Sequence, residues 1–367
     1  MSKRSSEINW GNAAISAAAP IAAVVVAVVI ISLLMWASGL NPTDAFTTLG
    51  DRLQNKATWM NSIQSAIPLY VSAVAVAIGF KMNLFNIGVE GQYKVAMLAT
   101  VVVGGAVELP AVLHVLFCLI VAMAAGALWA ALPAVLKVYR GVSEVITTIM
   151  LNYIAIGVLN FLFSEFWAVK QEGSLNRRSD PLPESAWMPD LIQSNLDRIN
   201  GFIIVAAVVG VFYYVLVWKS RFGFRLRASG ANASAARASG IPPKRMIVQA
   251  MLLSGGIAGL VGMTQILGDK HAYTTDLETN LGFNGIAVAL LGRNSPIGMA
   301  VAAVVFGFLN AASRFLDLNG IPKEIAQIMQ GILVLSVVIV YEIARRMKER
   351  RTQEIASKAL EGTAVAA

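Results

Sequence analysis

Glu90 is the ionisable side chain with the most to explain. It follows Lys81-Met82-Asn83-Leu84-Phe85-Asn86-Ile87-Gly88-Val89 and precedes Gly91-Gln92, a polar interruption between two long apolar runs. A charge near the centre of a bilayer costs about 2.5–3.5 kcal/mol on insertion scales, so Glu90 must face a cavity, a partner or the interior of a bundle. Asn83, Asn86 and Gln92 cluster with it, and Gly88 and Gly91 permit close backbone approach. This pattern suits a helix break lining a passage or its gate. It also suits a buried polar network that holds helices together. Asn152 lies four residues after Thr148 on one helix face, a third of the way into another apolar run, and Glu144 near the start of that run is placed to cap or snorkel. Phe283-Asn284 repeats the aromatic–amide pair Phe85-Asn86, a combination suited to a flat hydrogen-bonding ligand or to ordinary packing.

Covalent chemistry has little to work with. No Gly-rich loop ending Gly-Lys-Ser/Thr occurs, so the chain carries no phosphate-binding loop of its own. No nucleophile–base pair presents itself, and His114 and His271 are isolated rather than spaced as metal ligands. Cys118, alone in an apolar run, reads as a small core residue.

The elements that must position these residues are membrane helices. The 367-residue chain is 57% hydrophobic and 14% charged, against about a quarter charged in soluble domains. Its mean hydropathy is +0.66. Spans are expected at 17–38, 64–80, 84–106, 109–136, 143–167, 199–218, 246–268, 282–292, 296–313 and 323–344. The fold expected is an all-α membrane protein of about ten transmembrane helices. The span at 282–292 is too short to cross alone, because a crossing needs about 20 residues. Residues 1–16 are expected as a cytoplasmic N-terminus, 17–344 as the polytopic membrane domain and 345–367 as a cytoplasmic tail. The run after Lys3 and Arg4 exceeds a signal-peptide core and reads as an uncleaved first helix.

With the N-terminus inside, 19 Lys and Arg residues fall on cytoplasmic segments and 9 outside, with Lys94 within a span. This asymmetry orients both termini to the cytoplasm. The net charge of +8 is thereby a topology signal, which argues against nucleic acid as a partner and for membrane lipid. The inside segment 219–245 holds seven basic residues and no acidic one. Within it, Ser229–Ser239 is Ala-rich and suits a short helix before Pro242-Pro243. Such an element either docks a partner or is a solvated basic loop. The outside loop 168–198 is polar and Pro-containing. Spans 2–5 and 7–10 start on opposite sides, which would give two inverted four-helix units.

Four stretches in order carry a resemblance. Phe85-Asn86-Ile87-Gly88-Val89-Glu90-Gly91-Gln92, Glu144 through Tyr153, Phe222 through Ile241, and Gly282-Phe283-Asn284-Gly285-Ile286-Ala287-Val288-Ala289-Leu290-Leu291-Gly292 resemble permeases of the branched-chain amino acid and simple-sugar ABC importers. They are most similar to the nucleoside-type branch, over about residues 60–345. The resemblance implies a type II importer-like permease that does no covalent chemistry and binds no cofactor. It implies a second permease subunit (a heterodimer), a separate ATPase subunit that consumes ATP, and an extracytoplasmic substrate-binding protein. The translocation route would involve Asn83, Phe85, Asn86, Glu90, Gln92, Asn152, Phe283 and Asn284. ATPase coupling would fall to Arg227, Gly230, Ala236, Arg237, Gly240 and Ile241. One departure stands out: Asn232-Ala233-Ser234-Ala235-Ala236-Arg237 replaces the family's Asn-Pro-Glu-Ala-Ala-Arg, so the acidic residue is missing. The expected cargo is a nucleoside carried across the bacterial inner membrane. A simple sugar such as ribose or galactose is the alternative, then a branched-chain amino acid. Rivals of another class are an ion-coupled transporter using Glu90 and an assembly subunit without cargo.

Overall fold

The computed structural model describes residues 2–169, 176–194 and 197–364. Lys170, one of the outside cations, lies outside the described residues, as does part of the loop 168–198. In chain order the elements are α1 (Ser2–Ala37), α2 (Pro42–Leu53), α3 (Lys56–Lys81), α4 (Val89–Gly105), α5 (Ala111–Val135), α6 (Glu144–Leu162), β1 (Asp190–Ser194), β2 (Asp197–Asn200), α7 (Phe202–Tyr214), α8 (Arg221–Ala231), α9 (Ala233–Ala238), α10 (Pro243–Gly259), α11 (Met263–Gly268), α12 (Leu281–Leu291), α13 (Pro296–Leu318) and α14 (Glu324–Ala364).

Eight helical stretches among the described residues are long and apolar enough to cross a membrane. Two expected spans are shorter helices instead. The span at 84–106 is α4, of 17 residues, and that at 282–292 is α12, of 11 residues. The expected start of 64–80 moves back to Lys56, because Asn55 caps α3 by accepting from the Ala57 and Thr58 N–H groups at 2.9 and 3.3 Å. The span at 246–268 breaks after Gly259 into α10 and α11. The helical ends α1 and α14 run without interruption through the expected boundaries at 16/17 and 344/345.

The chain divides into two compact units, Met1–Gln54 with Ala312–Ala367, and Asn55–Ala311. This division does not follow the expected pair of four-helix units. In the first unit α1 packs along α14. The short helix α2, which the hydropathy pattern did not foresee, is capped by Asn41 and started by Pro42. It buries Ala45, Thr48 and Leu49, and Arg52 stacks over Phe315 at 3.7 Å.

In the second unit α3 and α10 are central: 72% of the most apolar stretch of the α3 span, and of the span that α10 begins, is buried. Around them α5, α6 and α7 expose large apolar side chains such as Leu128, Ile146 and Val211. A helix that is apolar all round with its outer side uncovered is built for lipid. Close contact between α5 and α10 follows from small residues. A Cβ on Gly126 would lie 2.9 Å from the Gly259 backbone, and one on Gly259 would overlap the Ala122 carbonyl. Without a hydrophobic drive between helices in lipid, such close approach supplies the packing energy. Between α6 and α7, β1 and β2 form a short antiparallel ribbon with Ile192 opposite Ile199. Arg198 ties it down through ion pairs with Asp190 and Asp269.

Candidate functional site: a buried helix break and a basic helix pair

The break begins where α3 ends at Lys81. Asn83 takes a left-handed turn (φ 58°), a conformation asparagine tolerates better than most residues, and the Leu84 N–H returns to the Gly79 carbonyl at 3.0 Å. The chain then climbs back into the bundle before α4 starts at Val89. Its depth is set by α3: the Ser72 hydroxyl donates to the Leu281 carbonyl at 2.9 Å, and Ser72 stands nine residues, about 13 Å, above Lys81. The first turns of α4 and α12 therefore meet inside the helix bundle, about 13 Å along α3 from its end at Lys81. A Cβ on Gly282 would lie 2.5 Å from the Glu90 nitrogen, so only glycine permits this approach.

Two helix N-termini facing each other place two positive dipole ends together. The Glu90 carboxylate lies between them. Its Oε1 accepts from the Asn280 N–H at 2.9 Å and its Oε2 from the Gly282 N–H at 2.9 Å. The Tyr93 hydroxyl donates to Oε1 at 2.8 Å, and Lys94 Nζ pairs with it at 3.0 Å. With its side chain only 3% exposed, Glu90 is a fully partnered charge that joins α4 to α12.

A second group of amides fixes the break from the other side. Asn86 and Gln92 exchange two hydrogen bonds of 3.0 Å, and Asn86 Nδ2 also donates to the Ser254 hydroxyl at 2.8 Å. Ser254 in turn donates to the Ala75 carbonyl at 2.6 Å. From α6, Asn152 accepts the Gly91 N–H and donates to the Ile87 carbonyl, each at 2.9 Å. These amides satisfy backbone groups that the broken helix would otherwise leave unpaired in an apolar medium.

The structure thus brings Asn86, Glu90, Gln92 and Asn152 together, all buried, around the break. It leaves Asn83, Phe85 and Phe283 exposed and Asn284 half-buried. Phe85 packs edge-on against Phe80 at 5.1 Å. Sequence reasoning did not connect Tyr93, Lys94 and Ser254 to this site. A lysine one turn from a buried carboxylate was the available signal for Lys94.

The second site is the segment 219–245, which folds as two helices rather than a loop with one helix. Asn232 leaves helical geometry (φ −158°) and caps α9 by accepting from Ser234 and Ala235 N–H at 3.0 Å, which splits the helix expected over Ser229–Ser239. Gly240, in the left-handed region at φ +76°, ends α9. Ala236 and Ile241 are buried with Met82, Leu84, Leu226 and Met246 in one apolar cluster. They anchor the helix pair under the break and are not available to a partner. Gly230 packs against the end of α3, where a Cβ would lie 2.5 Å from the Lys81 carbonyl. Arg227 sits 4.6 Å over the Trp218 ring and Lys81 Nζ 4.9 Å from it, two cations sharing one aromatic ring. Of the expected coupling residues, Arg237 and Gly240 stand exposed, together with Arg221, Phe224 and Arg225, which the sequence did not single out. Glu144 at the start of α6 pairs with Lys137.

A family model described as the permease component of branched-chain amino acid transport systems matches residues 58–338. The chain is 36% identical to a guanosine ABC transporter permease protein of Bacillus subtilis (strain 168), covering 88% of this chain and 93% of that protein. It is 28% identical to a nucleoside ABC transporter permease protein of Lactococcus lactis subsp. cremoris, over 88% and 91% of the two chains. It is 29% identical to a glucose ABC transporter permease protein of Haloferax volcanii, over 87% and 86%.

Proposed function

This chain belongs to the family of permease components of branched-chain amino acid transport systems, a multi-pass transport subunit of the ABC importer kind and not an enzyme, and we propose that its cargo is a nucleoside. The observation that carries the cargo is the 36% identity, over nearly the whole of both chains, to a permease described as a guanosine transporter. A sugar is the second reading, supported by the glucose permease at 29%.

Under this proposal the chain works with a second, different permease subunit, a separate ATPase that binds and hydrolyses ATP, and an extracytoplasmic binding protein that delivers the cargo. This chain binds no cofactor itself. Both termini are cytoplasmic, as the Lys/Arg asymmetry supports. The ATPase docks on the exposed side of α8 and α9, through Arg221, Phe224, Arg225, Arg237 and Gly240. Because Gly230, Ala236 and Ile241 seat that helix pair directly beneath the break, a push on it reaches Met82 and Leu84 through packed side chains. Closure of the ATPases then biases the permease between outward- and inward-open states. The paired N-termini of α4 and α12, each near a Phe-Asn dipeptide, support two inverted units meeting at mid-membrane. Glu90, with every oxygen engaged, suits a joint better than a proton site.

The test is uptake of radiolabelled guanosine, adenosine, uridine and ribose by cells lacking the gene and by complemented cells. Loss of nucleoside uptake alone supports the reading. Loss of ribose uptake alone moves the cargo to sugars, and uptake that needs a proton gradient but no ATPase overturns the importer mechanism.

A further inference from the structure

Lys94 has two neighbours. It pairs with Glu90, and it also lines a cavity of about 600 Å³ that lies between α4, the outer half of α6 and the segment 273–279. That volume is in the range of small-molecule sites, roughly 300–1,000 Å³.

The wall chemistry is mixed in a specific way. Phe163 and Tyr273 form an aromatic pair, with ring centroids 4.9 Å apart and planes inclined by 57°. Asn160, near the end of α6 and one turn before Phe163 in the helical turn that continues it, exposes its amide to the cavity. Glu278 and Thr275 expose a carboxylate and a hydroxyl from the facing segment. An acyl chain here would strip water from these groups without replacing their hydrogen bonds. A ligand with a flat heteroaromatic part and a neighbouring diol meets all of them. The rings and the amide serve the flat part, and a carboxylate is a natural acceptor for ribose hydroxyls. The charge balance also fits: Glu90 pairs with Lys94, and the wall adds one charge of each sign in Arg177 and Glu278, so the cavity asks for no anionic cargo.

We propose that this cavity is a nucleoside-binding station on the extracytoplasmic side of the helix break, with the base against Phe163 and Tyr273, its edge read by Asn160, and the ribose hydroxyls donated to Glu278. The proposal rests on the nucleoside reading of the cargo. It places the station next to the joint that conformational change must move, because Lys94 belongs to both and α6 carries both Asn152 and Asn160. Cargo leaving the station inward would pass the Glu90–Lys94 pair.

The experiment uses the complete importer in proteoliposomes with its binding protein. Tritiated 8-azidoadenosine is photolysed during turnover and the labelled peptides are mapped. The expected label falls on residues 156–164 or 273–279 and drops at least tenfold under excess guanosine. Asn160→Ala and Glu278→Gln, both at exposed positions, are expected to lower nucleoside moved per ATP hydrolysed by about tenfold. Label confined to other segments, or both variants moving nucleoside per ATP within twofold of wild type, overturns the station while leaving the cargo reading in place. A wild-type importer that moves ribose and no nucleoside overturns the cargo reading, and the station with it.

Discussion

The Glu90 carboxylate accepts the Gly282 backbone N–H at 2.9 Å, so a side chain on the first turn of α4 caps the first turn of a helix 192 residues further along. One anion thereby serves two helix N-termini at a depth where water cannot. Glu90→Gln keeps the shape and removes the charge, leaving Lys94 unpaired. Breaking a buried pair in this way costs about 3–5 kcal/mol, and the melting midpoint of the purified protein is expected to fall accordingly. The double variant Glu90→Gln with Lys94→Met should recover part of the loss. A double variant as unstable as the sum of the singles would mean that the pair is not coupled.

The α5–α10 contact makes a sharper steric prediction. Gly259→Ala drives a methyl group into the Ala122 carbonyl, whereas a methyl group at Gly256 meets nothing nearer than 3.6 Å. Overpacking of this sort costs about 1–3 kcal/mol. Gly259→Ala is expected to reduce the folded, monodisperse fraction after detergent extraction, and Gly256→Ala to match wild type. Equal behaviour of the two would show that the helices can separate without penalty.

Coupling is expected to separate two glycines on the α8–α9 pair. At Gly240 a side chain meets no atom within 4 Å, and the left-handed backbone costs about 1–2 kcal/mol for another residue. Gly240→Asp should leave the protein in the membrane and uncouple ATP hydrolysis from uptake. Gly230→Ala, which pushes α8 away from the Lys81 carbonyl, should lower both the amount of folded protein and its uptake. Wild-type transport per ATP in Gly240→Asp would remove this surface from the coupling mechanism.

A pH dependence is built into the segment that follows α11. His271 stacks on Trp187 with centroids 4.0 Å apart. Burial, and then the nearby Arg198, hold its imidazole below the ordinary value, against the opposing pull of Asp269 and Asp190. A folded-state value below the unfolded one means that the unfolded chain binds the proton more readily. This contribution is therefore intact above the unfolded value of about 6.5 and is lost as the pH falls below it. The melting midpoint is expected to drop between pH 7.5 and 5.5, and to drop less in His271→Gln. An identical pH profile in the two proteins would assign the dependence to other groups.

Much of this was legible along the chain. The polar run from Lys81 to Gln92 announced a break, and the apolar runs around it announced membrane helices, because both are local patterns. The same holds for the basic segment 219–245, whose charge marks a membrane face wherever its helices pack. Less legible was the sorting of its residues. Ala236 and Arg237 are adjacent in sequence, yet one is buried under the break and the other is exposed, since a helix turns about 100° per residue and only its neighbours decide which side is covered.

Sequence by itself determined that this chain lives in a membrane, that its long apolar runs are helices and which permease family it belongs to, since hydropathy and ordered motifs act over short separations. Tertiary structure alone decided what the polar residues do. Whether Glu90 lines a passage or joins two helices depends on Asn280 and Gly282, and whether Asn152 faces cargo or the backbone at Ile87 and Gly91 depends on where α6 crosses α4. Those contacts span from 61 to 192 residues, a range over which composition and periodicity carry no information and only the packed bundle fixes the distances.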